Sequence, residues 1–254
     1  MRVIITNDYT EMSCEVARII AHQILAKEDS VLGLPTGDTP TGMYEELVQM
    51  YNCGVIDFFK VITFNLDEYY GLPPDHPQSY HRYMREKLFN YVNTQEGNIH
   101  IPDGVAKDIE EECRRYEEEI YRYGGIDLQV LGIGANGHIG FNEPGSDWEM
   151  ITSLVKLSEG TRRREARHFR DPAEVPTQGI TMGIKTIMKA RKILLLASGK
   201  EKAKATTKAL EGPVTKRVPA SILQLHPMVT VIVDKEAGKF VSNLKTPLRY
   251  LPVE

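Results

Sequence analysis

Residues 131–145 read LGIGANGHIGFNEPG, and the reading of this stretch decides what kind of α/β protein the chain forms. An apolar strand end runs into a glycine-rich turn that carries Asn136, His138 and Glu143. Within it, Gly132-x-Gly134-x-x-Gly137 formally matches the dinucleotide-binding fingerprint. That fingerprint needs a long helix directly after the glycines, so that the helix N-terminus can hold a pyrophosphate. Here Gly140, Pro144 and Gly145 interrupt at once, and no clear strand-end acid follows at the proper distance. Nicotinamide or flavin binding is therefore not expected. A lone histidine is usually a satisfied structural one. The spacing to Glu143, with Gly137 and Gly140 on either side, favours an exposed general acid–base that a small substrate can approach.

On both sides of this turn, short β-branched runs alternate with helical patterns. Strands are expected at 3–5, 31–34, 61–64, 128–131, 193–196 and 229–233. Several are apolar throughout, as strands covered on both faces are. Helices are expected over 11–26 with Thr10 as cap, from Pro40 to about Tyr51 with Thr39 as cap, and from Ser79 through Tyr91. A charged helix is expected over 107–123, and another over 200–210, ended by Gly212-Pro213. The alternation predicts an α/β fold: a mostly parallel central sheet between helix layers, in three layers. Ligands of such a sheet sit beyond the carboxyl ends of the strands.

Bulk properties narrow the function classes. At 254 residues, with 41% hydrophobic and 26% charged residues, the chain suits a single soluble domain spanning 1–254. A net charge of −4 speaks against a broad nucleic-acid footprint, and no apolar run is long enough to span a bilayer. The opening MRVIITNDYT turns polar after Ile5 and does not read as a signal peptide. Cys14, Cys53 and Cys113 lie far apart without metal-ligand spacing, which fits free thiols in a cytoplasmic protein.

Three further turns carry candidate site residues. In VLGLPTGDTPTGMY (31–44), a strand ends at a turn of Thr36, Gly37, Asp38 and Thr39 before a helix. Free backbone N–H groups and threonine hydroxyls there make a seat for phosphate; a plain capped βα turn is the alternative. It is no Walker A loop, because no Lys-Ser/Thr follows the glycines. In FNLDEYYGL (64–72), Asp67 and Glu68 follow a strand. Neighbouring side chains point apart, so at most one need serve as a base. In LLLASGKEKAKA (194–205), Lys202 falls within the first helical turns, where the helix dipole disfavours a lysine unless an anion is bound. Residues 147–180 break the rhythm with Arg162, Arg163, Arg164, Arg167 and Arg170. They read either as a surface helix or disordered loop, or as a lid bringing arginine to an anionic substrate.

The segments LGLPTGDTP, FNLDEYYGL, SYHRYM (79–84), GANGHIGFNEPG and LQLHP (223–227), in order from about Val3 to Pro247, resemble the glucosamine-6-phosphate deaminase (glucosamine-6-phosphate isomerase) family. The resemblance implies a modified Rossmann-like fold that uses no nucleotide. It also implies conversion of glucosamine 6-phosphate and water to fructose 6-phosphate and ammonia, without metal or organic cofactor. By the same resemblance, Asp67 takes the C2 proton, His138 opens the ring and Glu143 is its carboxylate partner. Asn136 falls where members carry Asp or Asn, and a neutral amide there orients the imidazole without adding charge. Arg167, Lys202 and the loop from Thr36 to Thr39 match the phosphate site.

Members that respond to N-acetylglucosamine 6-phosphate carry a basic Ser-Arg-Thr-Arg-Ile-Lys stretch after the Asn-Glu-Pro segment. Here residues 150–155 read MITSLV, so weak or absent activation is expected. The same stretch forms subunit contacts in hexameric members, which leaves a monomer or another homo-oligomer open. Two rival functions share the fold class. A 6-phosphogluconolactonase-like hydrolase would not need the FNEP and DEYYGL contexts. A non-catalytic sugar-phosphate sensor would not need Asp67, His138 and Glu143 together, and would normally carry a DNA-binding segment, whereas this chain opens on its first strand.

Overall fold

The computed structural model describes residues 1–242; the end of the resembling stretch at Pro247 lies outside them. In chain order the elements begin β1 (Arg2–Thr6), α1 (Tyr9–Ala26), β2 (Val31–Leu34), α2 (Thr41–Asn52), β3 (Ile62–Asn65), β4 (Asp67–Tyr69) and α3 (Tyr80–Met84), which runs on as a π turn over Arg85–Phe89. β5 (Ile99–His100), α4 (Ile109–Arg122), β6 (Leu128–Gly132), β7 (Ser153–Lys156), α5 (Glu159–Glu165) and β8 (Gln178–Thr181) follow. The order closes with α6 (Ile184–Met188), β9 (Lys192–Ala197), α7 (Ala203–Glu211) and β10 (Val229–Asp234).

Seven strands form one parallel sheet in the order β1-β10-β9-β6-β2-β3-β5. Its apolar strands are covered twice. Val31, Leu195, Val231 and Val233 join the core under α4, α6 and α7. Their neighbours Leu32, Leu194, Leu196 and Ile232 point the other way, into the core under α1 and α2. Period-two alternation with both faces buried is what makes these strands unbroken apolar runs in sequence. The chain proceeds outward from β2 to β3 and β5, and in the other direction from β6 to β9 and β10. The order therefore switches between β2 and β6, where the carboxyl ends of adjacent strands open a ligand site.

The six long strands and the main helices stand where the sequence places them, but three details differ. Asp8, not Thr10, caps α1: its carboxylate accepts from the N–H of Glu11 at 2.9 Å, and Glu11 accepts from the N–H of Asn7, one residue ahead of the cap, at 2.7 Å. Thr39 caps nothing; Pro40 stands at the cap of α2 without a side-chain bond. Residues 147–180 are neither a plain surface helix nor a disordered loop. β7 and β8 pair antiparallel there and join β4 in a second, three-stranded sheet, with α5 between them. Phe169, Leu157 and Val175 from this segment pack with Tyr69 and Phe141 in a small separate core.

Candidate active site

Four turns leave the carboxyl ends of β2, β3, β6 and β9, and parallel strands bring them to one edge of the sheet. The turn after β2 is held by tyrosines. Tyr83 Oη donates to the Gly37 carbonyl at 2.6 Å, Tyr44 Oη to the Pro35 carbonyl at 2.6 Å and Tyr9 Oη to the Asp38 carbonyl at 3.2 Å. The carbonyls are thus tied inward, while among the described residues no acceptor takes the N–H of Thr36, Gly37, Asp38 or Thr39. Gly37 adopts φ +103°, and a Cβ there would meet nothing within 4 Å. Four free amides on an open turn can seat an anion.

Asp67 begins β4 just past β3 and is 5% exposed. Among the described residues no donor reaches its carboxylate. Burial, then the charges of Glu68 and Glu165, push its pKa well above the ordinary carboxylate value. Glu68 is turned the other way and fully buried. It accepts the N–H groups of Tyr69 at 2.7 Å, Tyr80 at 3.0 Å and His81 at 3.0 Å, and lies 2.9 Å from His81 Nδ1. Of the adjacent acids, one holds the start of α3 and the other is left desolvated.

The turn after β6 explains its glycines without a nucleotide. The His138 ring lies flat against Gly134, where a Cβ would come within 2.3 Å of Cε1. Gly137 adopts φ +89° beside Val218. Gly140 (φ +55°) passes so close to Asp67 that a Cβ on it would lie 3.5 Å from Oδ2. The histidine turn therefore runs directly beside the aspartate.

Glu143 Oε2 lies 3.5 Å from His138 Nδ1, longer than a hydrogen bond, and accepts from Asn136 Nδ2 at 2.7 Å. Burial pushes the Glu143 carboxyl up, but the His138 ring and the Thr161 and Asn136 donors outweigh it and hold it at about 2. Asn136 does not orient the imidazole directly. Its amide nitrogen serves Glu143, and its oxygen takes only the His138 backbone N–H at 3.2 Å.

The cations gather around the turn after β9 and the arginine-rich segment. Lys202 ends the 3-10 turn (Lys200–Lys202) that precedes α7, and Asp234 fixes that turn by accepting from Gly199 N–H at 3.0 Å and from the Ser198 hydroxyl. Burial, then the charge of Arg164, lowers the Lys202 pKa, with Arg167 adding to it and Glu201 and Glu165 opposing. Arg167 is paired with Asp38, which bridges the arginine segment to the β2 turn. Glu165 in turn accepts from Tyr69 Oη at 3.4 Å. Sequence reasoning did not single out Ser158, Thr161, Glu165 or Asp234; only the Ser158-x-x-Thr161 capping pattern left a local trace. Among the described residues no group of three or more His, Cys, Asp or Glu side chains has metal-holding geometry. A surface cavity of about 670 Å³, lined among others by Leu25, Tyr51 and Asn93, lies at the opposite end of the sheet and contains none of these groups.

Fold and site together define a class: a three-layer α/β protein that sets a buried carboxyl, an imidazole–carboxylate pair and a cation cluster at the carboxyl edge of its parallel sheet. Comparison with known proteins is specific. The family model described as glucosamine-6-phosphate isomerases/6-phosphogluconolactonase matches residues 8–232, and the chain belongs to this family. It is 57% identical over 96% of both chains to a glucosamine-6-phosphate deaminase of Thermoanaerobacter pseudethanolicus. It is 56% identical, over 95% of this chain and 100% of the other, to that of Halothermothrix orenii. A solved structure described as a monomeric glucosamine-6-phosphate deaminase superposes with a TM-score of 0.92 at 47% identity, covering 94% of this chain and 99% of that one.

Proposed function

We propose that this chain is a glucosamine-6-phosphate deaminase, converting glucosamine 6-phosphate and water to fructose 6-phosphate and ammonia by general acid–base catalysis. The observation that carries the reading is the approach of the Gly140 turn, two residues on from His138, to Asp67: a Cβ on Gly140 would lie 3.5 Å from Oδ2, so the two candidate proton carriers belong to adjoining turns. Identities of 55–57% to deaminases over nearly the whole chain support the same substrate.

The chemistry follows from the groups. The C2 hydrogen of a cyclic aminosugar becomes acidic only once the ring has opened to an aldehyde. His138, partnered by Glu143 and through it by Asn136, moves the proton between the anomeric hydroxyl and the ring oxygen. Asp67 then takes the C2 proton, and its raised pKa makes it a stronger base once ionised. It returns a proton to C1 of the enediol-type (enolamine) intermediate, which leaves an imine at C2; water adds to C2, and ammonia departs as the ketone forms. The amides of Thr36, Gly37, Asp38 and Thr39, with Lys202 and Arg167, hold the 6-phosphate and so fix the distance to the reacting carbons. No metal or organic cofactor enters this scheme. Phosphate must displace Asp38 from Arg167, and the segment over 159–175 within 147–180 acts as the lid that carries that arginine.

The 6-phosphogluconolactonase-like and sensor readings give way because neither needs a desolvated Asp67. No described helix is long and apolar enough to cross a membrane; we place the protein in the cytoplasm, with Cys14, Cys53 and Cys113 as free thiols and no nucleic-acid or membrane partner. Light scattering separates a monomer, as described for the 47%-identical relative, from a homo-oligomer. The function is tested by stoichiometric ammonia and fructose 6-phosphate release from glucosamine 6-phosphate by the purified protein. Hydrolysis of 6-phosphogluconolactone without ammonia release from the aminosugar would reverse the assignment.

A further inference from the structure

Glu143 is gripped from two sides, and only one grip belongs to its own turn. Oε2 faces Asn136 and His138. Oε1 accepts from Ser158 Oγ at 2.9 Å and from the Thr161 hydroxyl, while the two hydroxyl oxygens lie 3.1 Å apart. Both belong to the arginine-rich segment: Ser158 caps α5, and Thr161 sits in its first turn, 3% exposed. Each hydroxyl has a single proton, and both can be given to the same carboxylate oxygen. A carboxylate bonded at both oxygens cannot rotate about its terminal torsion, so Oε2 stays aimed at the imidazole. α5 also carries Arg164, and Arg167 follows within one turn. One short helix therefore touches both the phosphate cations and the acid–base carboxylate.

We infer that Thr161, assisted by Ser158, is a positioning residue for the His138–Glu143 pair, so that the segment that meets the phosphate also sets the ring-opening carboxylate. This rests on the deaminase reading above. The contrasting view is that Thr161 only fills space with its methyl group, and the two views order the variants oppositely. Thr161→Val keeps the shape and removes the hydroxyl; Thr161→Ser keeps the hydroxyl and removes the methyl.

The experiment measures kcat and KM for ammonia release from glucosamine 6-phosphate with wild type, Thr161→Val and Thr161→Ser. Loss of a hydrogen bond to a charged group is expected to lower kcat of Thr161→Val by roughly 10- to 100-fold with KM within about threefold, and Thr161→Ser is expected to stay near wild type. Wild-type kcat in Thr161→Val, or equal damage in Thr161→Ser, overturns the inference and leaves the deaminase reading intact. An inactive wild type sinks that reading itself. Should Thr161→Val not fold, Ser158→Gly removes the other hydroxyl, and glycine is itself an acceptable capping residue. A severalfold fall in kcat at constant KM is then expected, and an unchanged kcat overturns the proposal.

Discussion

Replacing Gly134 with alanine is the sharpest perturbation that the site allows. A Cβ at this position would lie 2.3 Å from His138 Cε1, 2.4 Å from Nε2 and 2.5 Å from Nδ1. Carbon contacts settle near 3.5–4.0 Å, so the imidazole must retreat by about 1 Å. The backbone itself is not strained by alanine, because Gly134 is not among the glycines with positive φ. A displacement of about 1 Å at a reacting group costs on the order of 100-fold in rate. Gly132 is the internal control: a Cβ there meets nothing within 4 Å, and Gly132→Ala should stay within about twofold of wild type. The assay is kcat/KM for ammonia release, with thermal melts confirming that both variants fold. Full activity in Gly134→Ala would refute the placement of His138 as the acid–base. A damaging Gly132→Ala beside a harmless Gly134→Ala would refute the account of the glycines altogether, and would revive the dinucleotide reading.

Other outcomes follow from the charges. The folded pKa of Asp67 is raised above its ordinary 3.8, so its contribution to stability is full below that value and is lost as pH rises through the folded pKa. Asp67→Asn should therefore melt higher than wild type at neutral pH while losing catalysis, with the two curves converging below about pH 4; a lower neutral-pH melting temperature would contradict the buried-base assignment. Lys202→Met should raise KM by roughly 10- to 100-fold with a smaller change in kcat, as expected for lost phosphate binding. An equal fall in kcat and kcat/KM would instead assign Lys202 to the transition state. With residues 150–155 reading MITSLV, N-acetylglucosamine 6-phosphate should leave the velocity curve unchanged, and a shift from sigmoidal to hyperbolic would contradict this.

The large strands were legible because burial on both faces writes continuous apolar runs, as in Ile193–Leu196 and Val229–Val233. β5, at two residues, and the small sheet of β4, β7 and β8 were not, because their stability comes from pairing between distant segments and leaves no local period. The strand-end turns were readable one at a time. A parallel sheet put them at one end; which of them are neighbours was not legible, since that depends on the order of strands in the sheet. Asn136 shows the limit at side-chain scale: the sequence places it beside His138, while the structure gives its amide to Glu143. The Thr161 grip on Glu143 spans 18 positions and has no spacing rule that would reveal it.

Asp67 as the carrier of the C2 proton is the step on which the proposed reaction depends, and proton NMR of the C2 position during turnover reads that step directly. With glucosamine 6-phosphate as substrate, wild-type protein should remove the C2 hydrogen in step with ammonia release, and Asp67→Asn should leave it in place while still binding the sugar phosphate. Loss of the C2 hydrogen at the wild-type rate in Asp67→Asn would show that another group is the base.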